Sequence, residues 1–274
     1  LDNAATTPVD PAVWAEMQPY FEHFTANPSS IHSHGRQAKV AVEKARKTIA
    51  TLLNASPSEI LFTSGGTEAD NTVLQSAVLH GGCKVIITSP IEHHAVLHTA
   101  EAWAKLGLAE LKLVRVNPDG SIDLAHLEEL LSSSEKAIVS LMHGNNEIGN
   151  LLDLHAVGDL CEQYGALFHS DTVQTMGHYK HDASALKVHF MVGAAHKFHG
   201  PKGIGFLYAK AGTAFSPLMY GGAQERNQRG GTENVYGMVG IAKALELAYS
   251  SMDEHATYIK GLKAYFIEGL QKQF

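Results

Sequence analysis

A lysine flanked by glycine turns is the side chain in this sequence that is best placed to act as a nucleophile. Lys197 lies in the segment Gly193–Gly203, which reads GAAHKFHGPKG. Small and aromatic neighbours can remove water from its amine and lower its pKa towards a nucleophilic value. An imine with the carbonyl group of a cofactor is the natural use of such an amine. Taken alone, the segment also fits an ordinary exposed loop lysine.

An aspartate upstream of that lysine could serve a ring nitrogen. Asp171 follows an apolar run in the segment Phe168–Gln174, which reads FHSDTVQ. A buried carboxylate needs a cationic partner, because burying an unpaired charge is costly. A protonated pyridine nitrogen would supply that partner, and the pairing would keep the ring an electron sink. A helix cap at a strand end is the alternative interpretation.

A glycine pair at the start of a predicted helix is a candidate phosphate site. The segment Phe62–Asn71 reads FTSGGTEADN. Its glycines, Gly66 among them, allow backbone N–H groups to approach an anion, Thr67 offers a hydroxyl, and the helix N-terminus carries about half a positive charge. The pattern is neither GxGxxG nor a P-loop, so it does not indicate a dinucleotide or a triphosphate. A plain turn capped by Thr67 is the alternative.

A histidine that follows another apolar run could stack on an aromatic cofactor. His93 lies in the segment Glu92–Val96, and an imidazole there could also move a proton. A metal site of the HExxH type is not indicated, because the carboxylate precedes His93, His94 and His98 and does not lie between them. The start of a surface helix is the alternative interpretation.

Two adjacent asparagines follow a further apolar run, in the segment Met142–Gly149. Asn145 and Asn146 could donate hydrogen bonds to a phenolate or a carboxylate. The same pair before a glycine is also typical of a turn.

The elements that must position these residues alternate along the chain. Short apolar runs rich in β-branched residues predict strands, at 60–63, 84–89, 111–116, 137–142, 166–170, 189–192 and 204–208. Helical spacing of apolar residues predicts helices, at 11–24, 37–53, 68–79, 95–106, 124–131, 154–164, 236–249 and from about 253 to the end. This alternation predicts an α/β domain with a mostly parallel sheet covered on both faces. Ligands bind such sheets outside the carboxyl ends of the strands, which is where the chemical residues lie.

The composition is that of a soluble globular protein. The chain has 274 residues, 45% of them hydrophobic, and a net charge of −7. The acidic balance argues against nucleic acid as the main partner, and no apolar run reaches the roughly 18 residues of a membrane span. Cys83 and Cys161 form no CxxC motif, which favours a reducing, cytoplasmic location over a disulfide framework or a thiolate zinc site.

Taken together, these segments resemble the cysteine desulfurases, which are pyridoxal phosphate enzymes of fold type I related to the class-V aminotransferases. The resemblance covers essentially the whole chain and rests on the order and spacing of seven segments: LDNAATTP at the start, SGGTE at 64–68, Glu92-His93, Asn145-Asn146-Glu147, Asp171 with Gln174, the Lys197 segment, and RGGT at 229–232. It implies the fold-type I large domain with a seven-stranded sheet. It also implies a transferase that removes sulfur from L-cysteine, giving alanine and an enzyme persulfide.

The resemblance also implies roles for individual residues. Lys197 corresponds to the lysine that binds the cofactor covalently, Asp171 to the partner of the pyridine nitrogen, and His93 to the histidine that stacks on the ring and moves a proton. Gln174, with Asn146 nearby, corresponds to the donor to the phenolic oxygen. The phosphate ligands correspond to Gly66, Thr67 and His196, joined by Thr232 from the other subunit of a homodimer.

The sequence departs from the family at two places. Ala194 stands where the family often has a serine that donates to the phosphate, which predicts weaker retention of the cofactor. The nucleophilic cysteine and the arginine that holds the substrate carboxylate are expected beyond Phe274, and neither Cys83 nor Cys161 fits the first role. The expected organisation is therefore an N-terminal segment at 1–10, a large cofactor-binding domain at 11–250, and the start of a truncated small domain at 251–274.

The family resemblance leaves three functions open. The first is a cytoplasmic cysteine desulfurase that passes sulfur to an iron–sulfur scaffold or another acceptor protein. The second is a related class-V enzyme, such as a selenocysteine lyase or an aminotransferase, which would share the cofactor residues. The third is a dimer-forming, cofactor-binding fragment without turnover.

Overall fold

The computed structural model describes residues 2–273. Leu1, in the predicted N-terminal segment, and Phe274, at the end of the last predicted helix, lie outside the described residues. The described residues form an α/β fold. Its helices are α1 Pro11–Glu22, α2 Ser33–Leu52, α3 Gly66–Leu79, α4 His94–Lys105, α5 Leu124–Ser132, α6 Leu154–Gln163, α7 Val235–Ser250 and α8 Met252–Gln271. Its strands are β1 Ile60–Thr63, β2 Val85–Thr88, β3 Glu110–Leu113, β4 Ala137–Ser140, β5 Leu167–Ser170, β6 Phe190–Ala194 and β7 Gly205–Ala209.

The strands form one sheet in the order β1-β7-β6-β5-β4-β2-β3. The strand β7 runs antiparallel to both of its neighbours, and every other pair is parallel. The expected mostly parallel, seven-stranded sheet is confirmed. Since the parallel strands point the same way, the segments that follow them meet at one edge of the sheet.

Both faces of the sheet are covered by helices. Successive side chains of a strand point to opposite faces, so each strand contributes to two buried clusters. In β1, Phe62 belongs to one buried cluster and Leu61 to the other, and Ile87 and Ile86 of β2 divide in the same way. The larger cluster includes side chains of α1, α2, α5, α6 and α7, and the smaller one includes side chains of α3 and α4. The apolar strands are therefore buried on both sides, as a parallel sheet requires.

The element ends differ from the predicted ones by a few residues. The helix α2 begins at Ser33 because the His32 side chain caps it by accepting a hydrogen bond from the Gly35 N–H at 3.2 Å. The strand β3 ends at Leu113, short of the predicted Val116, and the chain continues as irregular structure at this edge of the sheet. A local cap and an edge strand are features that apolar periodicity does not show.

The helix α8 differs from the others because Met252 is its only buried residue within the described range. Its apolar side chains are exposed, among them Tyr258, Leu262, Tyr265 and Phe266. The proposed domain limits at 10/11 and 250/251 stay a prediction. No helix within residues 2–273 has the length and apolar character needed to cross a membrane.

Candidate functional site

A cavity of about 460 Å³ lies where the chain leaves β1, β4, β5 and β6. Nearly all of the predicted site residues line it: Gly66, Thr67, His93, Asn146, Asp171, Gln174, His196 and Lys197. These residues come from parts of the sequence that are far apart, and the sheet brings their carboxyl-end loops together. Thr232 is the predicted site residue that does not line the cavity.

Lys197 ends a short 3-10 turn that follows β6 directly. Its Nζ donates hydrogen bonds to the carbonyl oxygens of Ala4 and, at 2.9 Å, Ala5. Burial lowers the pKa of Lys197 below the usual lysine value, and the charges of Asp171 and Asp2 oppose that change. The amine is thus partly desolvated inside the cavity, as a nucleophilic lysine needs.

Asp171 follows β5 and is 5% exposed. Its Oδ1 accepts a hydrogen bond from the Val173 N–H at 2.9 Å. Burial raises the pKa of this carboxyl to about 7, and the nearby charge of Asp70 adds to the effect. Among the ion pairs of the described residues, none includes Asp171 with a lysine or an arginine. A cationic ring nitrogen in the cavity would meet this need.

The candidate phosphate site is the first turn of α3. The residues Gly66 and Thr67 open this helix and line the cavity. The backbone beneath is packed so closely that a Cβ at Gly205 of β7 would lie 2.8 Å from the Cα of Gly65. The free N–H groups and the dipole of this helix end favour an anion at this place.

The turn is held from outside by Glu68, which accepts a hydrogen bond from the Ser64 N–H at 2.8 Å. Arg229 pairs with the same carboxylate through two hydrogen bonds of 2.9 and 3.1 Å. Burial would raise the pKa of Glu68, but the hydrogen bonds from Arg229 and Ser64 outweigh it and leave the pKa below its usual value. The carboxylate stays charged and ties the loop near Thr232 to the candidate phosphate site.

His93 is the residue that caps α4. Its Nδ1 accepts a hydrogen bond from the Ala95 N–H at 3.1 Å. In the neutral ring the proton is therefore on Nε2. The ring lines the cavity and is free to lie against a planar ligand.

The two asparagines after β4 have different tasks. Asn145 is buried and builds the turn, since its Nδ2 donates to the Ile91 carbonyl at 2.8 Å and its Oδ1 accepts from the Glu147 N–H at 2.8 Å. Asn146 lines the cavity and donates to the Glu147 carboxylate at 2.6 Å. Asn145 therefore forms the turn, and the ligand contact expected of Asn146 stays a prediction.

The segment before α1 lies against the lysine loop. The Thr7 N–H donates to the His196 carbonyl at 2.8 Å, and the Thr6 hydroxyl lies 3.2 Å from His196 Nδ1. On the other side of the cavity, Gln174 Nε2 donates to the Ala4 carbonyl at 2.9 Å. Residues of the N-terminal segment thus form one wall of the cavity, a contact that sequence patterns do not show.

Sequence reasoning assigned no role to three buried polar residues at this edge of the sheet: Asp70, Glu92 and His169. Burial raises the pKa of Asp70 to about 8 and that of Glu92 to about 8, and it lowers the pKa of His169 to about 4. A signal was present, because Asp70 lies one helical turn after Thr67, and His169 lies two residues before Asp171 on a predicted strand.

Thr232 is exposed in the loop before α7. The loop is anchored by Glu225, whose carboxylate forms hydrogen bonds of 2.6 and 2.8 Å with Arg46 and accepts from the Phe62 N–H at 2.9 Å. The predicted role of Thr232 at a neighbouring subunit stays a prediction.

Both cysteines are buried in the apolar clusters. Burial raises the pKa of Cys83 to about 11 and that of Cys161 to about 12. A thiol in this state is a poor nucleophile, because the thiolate is the reactive form.

Comparison with known proteins gives consistent results. The sequence matches the aminotransferase class-V family over residues 1–273. It is 42% identical to the cysteine desulfurase IscS of Dictyoglomus turgidum, covering 100% of this chain and 69% of that protein. It is 40% identical to the putative cysteine desulfurase IscS 1 of Bacillus subtilis, covering 99% of this chain and 72% of that protein.

Solved structures agree with these relatives. A NifS-like protein superposes with a TM-score of 0.95 at 39% identity, covering 99% of this chain and 75% of that one. A structure described as SspA in complex with cysteine superposes with a TM-score of 0.85 at 32% identity, covering 89% of this chain and 71% of that one.

Proposed function

Since the chain belongs to the class-V aminotransferase family and, within it, to the cysteine desulfurases, we propose that its cavity holds pyridoxal phosphate and takes L-cysteine as substrate. The reaction removes the sulfur of L-cysteine and leaves alanine. The observation that carries the proposal is the meeting of a partly desolvated Lys197, an unpaired buried Asp171 and the first turn of α3 in one cavity.

The residues present fit this cofactor at both of its ends. The phosphate would bind at the first turn of α3, at Gly66 and Thr67, with His196 beside it. The ring nitrogen would be held by Asp171, which forms no ion pair with a lysine or an arginine of the described residues. Gln174 and Asn146 are the donors that fit the phenolic oxygen, and His93 is the residue that would stack on the ring.

When bound, pyridoxal phosphate supplies an aldehyde for the lysine and an electron sink for the carbanion formed at the substrate Cα. Lys197 would hold the cofactor through this aldehyde, and its amine would be the base that takes the Cα proton of the substrate. Asp171 keeps the proton on the ring nitrogen. Burial lowers the pKa of the Lys197 amine and so shifts it towards the neutral form, which is the form that can accept a proton.

His93 is the residue that moves a proton at the substrate sulfur. Its Nδ1 is engaged by the Ala95 N–H, so Nε2 is the atom that gives or takes the proton. A thiolate nucleophile must then take up the sulfur as a persulfide. The burial and raised pKa of Cys83 and Cys161 exclude both from this task.

A homodimer and a sulfur-acceptor protein complete the proposal. Thr232 reaches the phosphate of the neighbouring subunit from its exposed loop, which the pair of Glu68 and Arg229 ties to the cofactor turn. An iron–sulfur scaffold is the acceptor of choice, because the persulfide carries sulfur in the transferable form that such a scaffold needs. The protein acts in the cytoplasm.

The test of the cofactor site is a titration of the purified protein with pyridoxal phosphate, followed by visible absorption and borohydride reduction. We expect a reducible adduct in the unaltered protein, no adduct in Lys197→Ala, and a normal adduct in Lys202→Ala. Lys202 is the matched control because it lies in the same loop and is exposed. An adduct that persists in Lys197→Ala would refute the assignment of the lysine.

The test of the reaction is incubation with L-cysteine and dithiothreitol, whose thiolate can accept the sulfur in place of Cys83 and Cys161, with alanine and sulfide measured separately. Alanine and sulfide in equal amounts support the desulfurase. Alanine formed from L-selenocysteine and none from L-cysteine would favour a selenocysteine lyase. Adduct formation with no turnover of either amino acid would leave this chain a cofactor-binding fragment and contradict the proposed reaction for it.

A further inference from the structure

Two buried polar atoms beside the cofactor cavity face each other and have no hydrogen-bond partner among residues 2–273. They are Oδ1 of Asp70 and Nε2 of His169, which lie 3.4 Å apart. The two residues are 1% and 0% exposed. A buried polar atom without a hydrogen-bond partner costs folding free energy. A proton placed between Asp70 Oδ1 and His169 Nε2 would satisfy both atoms.

The two residues of this pair lie on neighbouring elements, α3 and β5. Asp70 lies on α3, one turn after the residues proposed to bind the phosphate, and lines the cavity. His169 lies on β5, on the face that α3 covers, two residues before Asp171. Its other ring nitrogen, Nδ1, lies 2.8 Å from the hydroxyl of Ser140, its register partner on β4. Both ring nitrogens are thus engaged, and the ring cannot turn freely.

The charges around the pair make its protonation state important. A charge on Asp70 raises the pKa of Asp171, charges on Asp171 and Asp70 raise the pKa of Glu92, and all three residues are buried. The cationic or titratable groups that act on Asp171 are His169 and His93, and Asp171 in turn acts on Lys197. A second carboxylate next to Asp171 would disfavour the ionisation of Asp171, since like charges raise each other's pKa.

We propose that Asp70 and His169 share one proton as a neutral pair and thereby leave Asp171 free to be the carboxylate that meets the cofactor ring. In this pair the Asp70 O–H donates to His169 Nε2, and the His169 Nδ1–H donates to the Ser140 hydroxyl. Asp70 and His169 are positioning residues, because they act on the ring nitrogen only through Asp171. The inference rests on the proposed role of Asp171. The position of the proton between Asp70 and His169 can be measured whether or not Asp171 has that role.

The burial of both groups is consistent with this arrangement. Desolvation raises the pKa of Asp70 to about 8, so the carboxyl keeps its proton at neutral pH, and it lowers the pKa of His169 to about 4, so the ring stays neutral. A carboxylic acid kept neutral in an apolar site is a known way to provide a hydrogen-bond donor.

The first test is the tautomer of His169 at pH 7, measured by NMR of protein labelled with 15N-histidine and loaded with pyridoxal phosphate. A His169→Gln variant identifies the signal. We expect the neutral ring with its proton on Nδ1, unchanged down to about pH 5. A ring protonated on Nε2 or on both nitrogens would overturn the proposal. Glu92→Gln is the control: it removes a buried carboxyl that does not touch His169, so the tautomer must stay the same.

The second test is Asp70→Asn, which keeps the shape and offers an N–H donor to Nε2 without any charge. At pH 7 we expect the visible absorption maximum of the bound cofactor to stay in place and Kd for pyridoxal phosphate to change less than twofold. A shifted absorption and a changed Kd would show that Asp70 is ionised beside Asp171, and would overturn the neutral pair. A failure of Lys197→Ala to abolish the adduct would instead refute the proposed function and leave the NMR result standing.

Discussion

The substitution Ala194→Ser is expected to tighten the binding of pyridoxal phosphate. Ala194 ends β6, is buried and lines the cavity. A Cβ placed at Gly66 would lie 4.0 Å from the Cβ of Ala194, so the Ala194 side chain points at the first turn of α3. A serine hydroxyl there would meet the phosphate that this turn is proposed to bind.

The magnitude follows from the charge of the acceptor. A hydrogen bond to a charged group contributes about 1.5 to 3 kcal/mol, which corresponds to a Kd that is roughly 10 to 150 times lower. The gain is expected near the lower limit, because the hydroxyl gives up water in the open cavity before it reaches the phosphate.

The assay is an equilibrium titration of the cofactor-free protein with pyridoxal phosphate and, separately, with pyridoxal, which has no phosphate. Ala194→Ser should lower the Kd for pyridoxal phosphate and leave the Kd for pyridoxal unchanged. Ala5→Ser is the matched control, because Ala5 lines the same cavity in the N-terminal segment, away from α3. Equal tightening for both ligands, or less than a twofold effect on pyridoxal phosphate in a folded variant, would refute the reasoning.

Two further predictions concern stability. Glu225→Ala removes the buried ion-pair partner of Arg46 and leaves only the half-exposed Glu43, so it should cost about 3 to 5 kcal/mol of unfolding free energy in a urea titration. The double variant Arg46→Met/Glu225→Leu should recover part of this loss, and a double variant as unstable as the single one would contradict this account. Glu92 has a pKa raised to about 8 by burial, so its contribution to stability is fully present below the ordinary value of 4.5 and is lost as the pH rises through 8. Thermal unfolding of cofactor-free Glu92→Gln should therefore depend less on pH between 5 and 8 than that of the unaltered protein, and parallel curves would show that Glu92 is not responsible.

The order of the elements could be predicted from the sequence because the strands are short, mostly apolar runs, and all of them except β3 are largely buried. The run Ile60–Leu61–Phe62–Thr63 coincides with β1, and the other runs differ from the strands by a few residues. The antiparallel direction of β7 has no such signal, since apolar runs look the same in either direction. The helix start at Ser33 depends on one hydrogen bond from the Gly35 N–H to His32, which apolar spacing does not contain.

The cavity could be predicted as a set of strand-end loops, whereas its contacts could not. Periodicity places His169 on a face of β5, but it does not say that the atom opposite is Asp70 Oδ1. In the same way, the hydrogen bonds from Lys197 to the carbonyls of Ala4 and Ala5 join segments that are 193 and 192 residues apart in the sequence. Such contacts depend on how α3 and the N-terminal segment pack against the sheet. The local sequence around each residue does not determine this packing.

The charges of the cavity also determine which way round the cofactor lies. One end is the first turn of α3, where free N–H groups and the helix dipole favour an anion. The other end holds the buried carboxyl group of Asp171. A cofactor turned round would bring its phosphate to this carboxyl group and its ring nitrogen to the positive end of the helix. Both contacts would then be repulsive, so the electrostatics favours the orientation with the phosphate at α3 and the ring nitrogen at Asp171.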